Sequence, residues 1–134
     1  MDSIGRVKEE HLHWDDDVTV FNGLPFTGVA FLEYPNAVLK REAYYKDGFE
    51  EGLVREWHAN GKLKREWLAV HGRAEGKVTE WHDNGMVKSV GEYEYGVELR
   101  FGEWNEFGAL VKSRTINMES ELFKYVQKMR QTKA

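Results

Sequence analysis

Polar punctuation cuts the apolar positions of this chain into short, evenly spaced runs. Glycines suited to turns fall at 23, 48, 61, 72, 85, 96 and 108, with Asn36-Ala37 where another would stand. The intervals are 11 to 14 residues, one strand and a turn each, and they carry Val, Leu, Tyr and Trp among charged residues. This spacing predicts an antiparallel meander of hairpins. Asn60-Gly61 and Asn84-Gly85 predict two-residue type I′ turns, in which both central residues take positive φ. Asp47-Gly48 running on to Gly52, and His71-Gly72 running on to Gly76, predict longer turns. On that register Trp57 faces Lys64, Trp81 faces Lys88 and Glu56 faces Arg65. Lysine stems would lie over indole rings, and opposite charges would pair across strands. Neither face comes out purely apolar, which suits a single sheet with both faces partly wet rather than half of a sandwich.

The ends of the chain read differently. Val7 to Trp14 is an opening strand, Asp15-Asp16-Asp17 a solvated turn and Val18 to Phe21 a short strand. The acidic triplet lacks the spaced oxygens and closing Glu of a calcium loop. From about residue 117 to 131 the period changes. Met118, Leu122, Tyr125/Val126 and Met129 recur at helical spacing, with Asn117 as N-cap, acidic residues first and basic residues last. The expectation is a C-terminal amphipathic helix that covers the last edge strand, since a bare edge invites aggregation.

Within the meander the sequence repeats itself. Gly48 to Gly72, Trp57 to Trp81, Gly61 to Gly85 and Lys64 to Lys88 are each 24 residues apart. Each copy holds paired glycines, a Glu-Trp-His triplet, Asn-Gly and then a lysine. Weaker copies flank the two: Gly28, Glu33-Tyr34, Asn36 and Lys40 upstream, and Gly96, Glu103-Trp104, Gly108 and Lys112 downstream. A fixed period in this range is the signature of a repeat array. The units fall at about 22–45, 46–70, 71–94 and 95–116. Ala37 replaces a turn glycine in the first unit; Arg100 replaces the second glycine in the last, which is one residue shorter before Trp104. Two strands per unit advance the sheet by ~10 Å, so four units span ~40 Å.

The Trp-x-x-Asn-Gly turn and paired glycines resemble the MORN-type repeat in its bacterial variant form, over about residues 6–114. The stretch from Asp16-Asp17-Val18 through Asn22-Gly23 to Pro25-Phe26-Thr27-Gly28 resembles the opening of bacterial proteins named YwqK-type antitoxins. The resemblance implies an all-β protein: an elongated single antiparallel sheet of about four β-hairpin repeats with a C-terminal capping α-helix, residues 1–134 forming one domain. It also implies a toxin-antitoxin role, with the protein acting as an immunity protein that binds a cognate toxin.

Composition narrows the rest. The chain has 134 residues, 41% hydrophobic and 31% charged, with a net charge of −4 and no cysteine. Thiol chemistry and disulfides are excluded, and direct nucleic-acid binding, which needs a basic patch, is disfavoured. No apolar run approaches a membrane span and the first residues lack an apolar secretion signal, so a cytoplasmic location is expected. Glu56-Trp57-His58 and Glu80-Trp81-His82 are the nearest thing to a chemical constellation. Duplication accounts for them, and a ~10 Å repeat spacing keeps the two histidines from sharing a metal. The reading is therefore non-enzymatic, with no catalytic residues, metal or cofactor. The expected partner-binding surface is Arg55, Trp57, Lys64, Glu66, Trp81 and Lys88, all on one side if the two-residue turns hold. The acidic charge suits a basic nuclease toxin. The alternative is a scaffold or anionic-lipid module, which requires the row Lys40, Lys64, Lys88 and Lys112 to project without glutamate partners. Oligomeric state is open at this stage.

Overall fold

A computed structural model describes residues 5–133, with the backbone alone for Lys133. The described residues form one open sheet of nine strands, a separate sheet of three and a C-terminal helix. β1 (Arg6–Lys8) pairs in parallel with β5 (Gly28–Glu33) at one edge. From β5 the sheet is an antiparallel meander in chain order: β6 (Leu39–Lys46), β7 (Phe49–Trp57), β8 (Leu63–Val70), β9 (Arg73–Trp81), β10 (Val87–Glu94), β11 (Val97–Trp104) and β12 (Leu110–Thr115). The small sheet holds β2 (His13–Asp15), β3 (Val18–Phe21) and β4 (Leu24–Pro25). The opening strand expected over Val7 to Trp14 is thus two short strands in different sheets, parted by a 3-10 turn at Glu9–His11.

The two classes of turn are the reverse of the sequence expectation. Asp47-Gly48, His71-Gly72 and Tyr95-Gly96 are the tight two-residue turns, every one of these residues having positive φ. His has only a mild preference for that conformation and Tyr none; the preceding hairpin imposes it. Thr27 Oγ1, Glu51 Oε1 and Glu75 Oε1 accept the backbone N–H of Asp47, His71 and Tyr95 at 2.9, 2.8 and 2.8 Å. The glycine N–H groups are taken by the carbonyls of Phe26, Glu50 and Ala74. Both free donors of each turn are satisfied by the hairpin before it, which outweighs the local cost of the conformation.

Asn60-Gly61 is not a type I′ turn. His58 N–H donates to the Lys62 carbonyl at 2.8 Å and Gly61 N–H to the His58 carbonyl at 2.9 Å, closing a loop in which only Gly61 has positive φ. This is the longer hairpin connection, a type I turn ending in a left-handed glycine. The same geometry recurs at His82–Met86 and Asn105–Ala109. Ala37 takes the glycine's place in the first hairpin, with φ 66°. The extra loop residue changes the register. Glu56 faces Arg65 as expected, but Trp57 faces Leu63 and Trp81 faces Val87, leaving Lys64 and Lys88 as bulge residues.

The second glycines, Gly52 and Gly76, have positive φ and sit where two strands fall out of register. Between β10 and β11 the irregularity is smaller: Glu92 faces Arg100 and Tyr93 faces Glu98, with only Leu99 left over. That accounts for both the missing residue and the tolerated Arg100.

One row of the sheet holds the deepest burial in the first strands of the meander. Ala30, Ala43, Val54, Trp67 and Val78 face one another across five strands, and Ala30, Ala43 and Val54 are fully buried. We call their side of the sheet the inner face. Where this row reaches Gly91, the Tyr93 ring fills the space a Cβ would take.

The helix α1 (Glu121–Lys133) is capped by Ser120, whose Oγ accepts the Phe123 N–H at 3.2 Å, rather than by Asn117. It buries Phe123 and Val126 against Val97 and Leu99, while Met118 and Leu122 stay exposed. It does not cover the last edge strand. It closes the Tyr95-Gly96 end instead, where Tyr95 donates to the Met129 carbonyl and Arg130 pairs with Glu94. The small sheet does the same for the first unit, with Val18 and Thr19 pressed on Gly48. Both caps therefore sit at the tight-turn ends of hairpins. The strand β12 is exposed along its whole length.

Candidate protein-binding surface

The loop ends of the hairpins carry a ladder. Tyr34 donates its hydroxyl to the Trp57 carbonyl at 2.7 Å; His58 and His82 donate from Nε2 to the Trp81 and Trp104 carbonyls, each at 2.9 Å. A carbonyl can only accept, so Nε2 bears the proton in both histidines. Asn60 Oδ1 accepts the Lys62 N–H while its Nδ2 donates to the Asp83 carbonyl of the next loop; Asn84 does the same with Met86 and Glu106. Each hairpin is thus held to the next at both ends. The histidines are structural, and among the described residues no group of three His, Cys, Asp or Glu is placed to hold a metal ion.

Tyr34 therefore occupies the place of His58, not that of Trp57, and the Glu33-Tyr34 alignment with Glu56-Trp57 is off by one. The 24-residue interval from Tyr34 to His58 to His82 is the signal that would have corrected it. The lysine row also breaks. Lys40, Lys64 and Lys88 are each bulge residues, but the fourth bulge residue is Val111; Lys112 lies directly across from Glu103.

The six residues expected to form one surface are divided between two faces. Arg55 and Trp57 lie on the outer face with Glu66 and, through Thr79, Trp81. Arg55 Nε is bonded to Glu66 at 2.6 Å, so those two charges are matched. Lys88 reaches Glu80 on the inner face at 3.7 Å. Lys64 borders a hollow of about 140 Å³ lined by Leu32, Arg41 and Glu56 of the inner face together with Tyr34 and Trp57, so Lys64 and Trp57 still meet at one hollow.

The inner face carries a charged ladder beside its buried row. Arg41 is the hub, at 2.7 Å from Glu50 and 3.5 Å from both Glu9 and Glu56. Burial pulls its pKa down, but the hydrogen bond and charge of Glu50, with Glu9 behind it, more than offset this and hold the guanidinium above its ordinary value. Burial, reinforced by the Glu50 charge, pushes the Tyr45 hydroxyl up. At the far end the Arg114 hydrogen bond holds the Glu98 carboxyl below its ordinary value. These shifts belong to interlocked ion pairs. A shallow hollow of about 360 Å³ lies beside Tyr93, Glu98 and Leu122. Among the described residues no helix is long and apolar enough to cross a membrane.

No curated protein matches the chain. Two stretches, residues 50–69 and 74–95, match the family model of the MORN repeat variant. They coincide with the β7–β8 and β9–β10 hairpins, whose ladders make them structural copies of one another. Each of these two central hairpins is thus similar to a MORN-type repeat.

Proposed function

We propose that this chain is a non-enzymatic protein-binding module that acts as an antitoxin, covering the working surface of a cognate protein toxin. One observation supports it above the others: nine strands among the described residues form an open sheet with a bare final edge, and the charged groups at its centre and far end, Arg41 with Glu50 and Arg114 with Glu98, are held in ion pairs. A rigid sheet of this kind offers extended complementarity rather than a reaction chamber. The toxin assignment draws on the opening stretch through Pro25-Phe26-Thr27-Gly28, which folds as the cap over the first unit. The net charge of −4 would speed encounter with a basic toxin domain.

The second reading, an anionic-lipid module, has one feature in its favour. Among the described residues Lys40 lies over the Tyr34 ring with no carboxylate partner, and Lys64 has no ion pair. Against it, Lys88 is neutralised by Glu80.

Affinity capture with tagged protein, washed at high salt and read by mass spectrometry, separates the two. The expected result is one stoichiometric protein partner that is lethal when expressed alone. Capture of no partner, with binding to anionic vesicles instead, would sink the antitoxin reading.

A further inference from the structure

The last hairpin departs from the inner ones at the positions through which each hairpin holds its successor. Matching hydrogen bonds align its loop with the previous one: Gly108 to the Asn105 carbonyl as Gly85 to that of His82, and Asn105 to Ala109 as His82 to Met86. Phe107 then stands where Asn84 bridges to the next loop, and Val111 where Lys88 forms the bulge. Asn105, in the place of His82, turns its Oδ1 back onto the N–H groups of Phe107 and Ala109. Side chains that would reach a further hairpin are gone, and apolar ones replace them. Phe107 is 84% exposed, Leu110 59% and Val111 54%. They flank a strand that ends the sheet and that the helix leaves uncovered.

We propose that β12 is a docking edge for an extended segment of a partner protein, which joins the sheet as a further strand. Its apolar side chains meet Phe107 and Leu110, and an acidic one stands opposite Lys112. This deepens the protein-binding reading and rests on it. An edge strand offers its outward backbone groups in fixed register, while alternate side chains supply selectivity. Lys112 forms no ion pair among the described residues, whereas Arg114 is held by Glu98 at 2.6 Å. Glu103 faces Lys112 across the strands and Glu98 senses its charge, but neither carboxylate lies within ion-pair distance, which leaves the ammonium able to bond a partner carboxylate.

A second copy of this chain fits the middle of the edge poorly. A two-fold axis perpendicular to the sheet keeps each face continuous. Centred on Ser113 it sets Lys112 opposite Arg114; centred on Lys112 it sets that lysine opposite its own copy. Like charges directly across strands are destabilising.

The probe is a short extended peptide alternating valine with glutamate, compared with one alternating valine with lysine, read by amide chemical shifts and hydrogen exchange on the whole chain. The glutamate peptide is expected to shift and protect the amides of Leu110–Thr115 and Phe107, and to bind about tenfold more tightly than the lysine peptide. Lys112→Glu should invert that preference. Phe107→Asn, which restores the inner-loop residue, should weaken both peptides with the melting curve unchanged. Absence of any perturbation at β12, equal binding of the two peptides, or an unchanged preference in Lys112→Glu overturns the proposal. So does a dimer through β12 in sedimentation, or protection of β12 by phosphatidylserine vesicles alone. The same variants go into the affinity capture. A partner retained equally by all of them refutes the docking edge but leaves the protein-binding reading standing; capture of nothing by the unaltered chain refutes that reading instead.

Discussion

The two ends of each hairpin are held by different means. At the tight-turn end, backbone N–H groups are held by carbonyls and side-chain oxygens of the preceding unit, and at the first unit the fit is steric as well. A Cβ on Gly48 would lie 2.2 Å from Val18 Cγ1 and 3.0 Å from the Thr19 carbonyl, and the turn donors are buried in bonds to the preceding unit. At the loop end, Gly61 and Gly85 have nothing within 4 Å, and only side chains cross to the next unit. One end is closed by bonds to the preceding unit, with steric fit added at Gly48, and is capped at the first and last units. The other is closed by exchangeable polar contacts, and there the composition can drift without loss of the sheet. Phe107 in the place of Asn84 is such a drift.

Paired glycine substitutions measure this difference at its largest. Gly48 and Gly61 have nearly the same φ, +88° and +86°, so the strain of a side chain is common to both. Gly61→Ala should cost about 1 kcal/mol, the conformational part alone. Gly48→Ala adds a clash with backbone and should cost about 3 kcal/mol or more. Denaturant unfolding of the two variants reads the gap directly; equal losses would mean that the small sheet does not lock the first unit.

The same asymmetry explains what was legible in the sequence. The period, the hairpins and the terminal helix follow from glycine spacing and apolar periodicity, which are local signals. Turn type is not local here. Asn-Gly has the strongest intrinsic preference for a two-residue turn, yet Asn60 is used for its side chain, which spans two loops. His71 and Tyr95 have little preference for positive φ, yet the carboxylates of Glu51 and Glu75 hold them there. From that one inversion the other errors follow. The tryptophans moved out of register with the lysines, and the surface drawn through Arg55, Trp57, Lys64, Glu66, Trp81 and Lys88 came apart onto two faces. The helix was misplaced for a related reason. Val97 and Leu99 lack the turn that would cover them in an inner unit, so the helix goes there and leaves β12 bare.

A smaller effect is expected at the loop end. His58→Phe keeps a ring of similar size but leaves the Trp81 carbonyl without its donor, at a cost of about 1 kcal/mol. His58→Gln can still donate an amide N–H to that carbonyl and should recover most of the loss. Thermal melts of the pair test whether the ladder works through its hydrogen bond; equal destabilisation by Phe and Gln would assign it to ring shape.

The smallest expected effect is a pH dependence at the last hairpin. The Arg114 hydrogen bond, at 2.6 Å, holds the Glu98 carboxyl below its ordinary value, against a smaller upward pull from burial. A depressed carboxylate contributes stability that is fully present above its unfolded value, near about 4.3, and is lost as pH falls through the folded value. The pair is exposed on the Arg114 side, so solvent screening keeps its contribution small. Glu98→Gln should therefore lower stability slightly at neutral pH and leave it unchanged in acid, narrowing the gap between the two conditions. Glu98 faces Tyr93, whose ring covers Gly91 in the buried row, while Arg114 lies over Phe101 in the same row. The ion pair thus holds the Tyr93 ring over Gly91 and lies against the Phe101 ring beside it. If Glu98→Gln instead cost the same at every pH, the carboxylate would be acting through shape and hydrogen bonding, and its charge would be incidental to holding β12 in place.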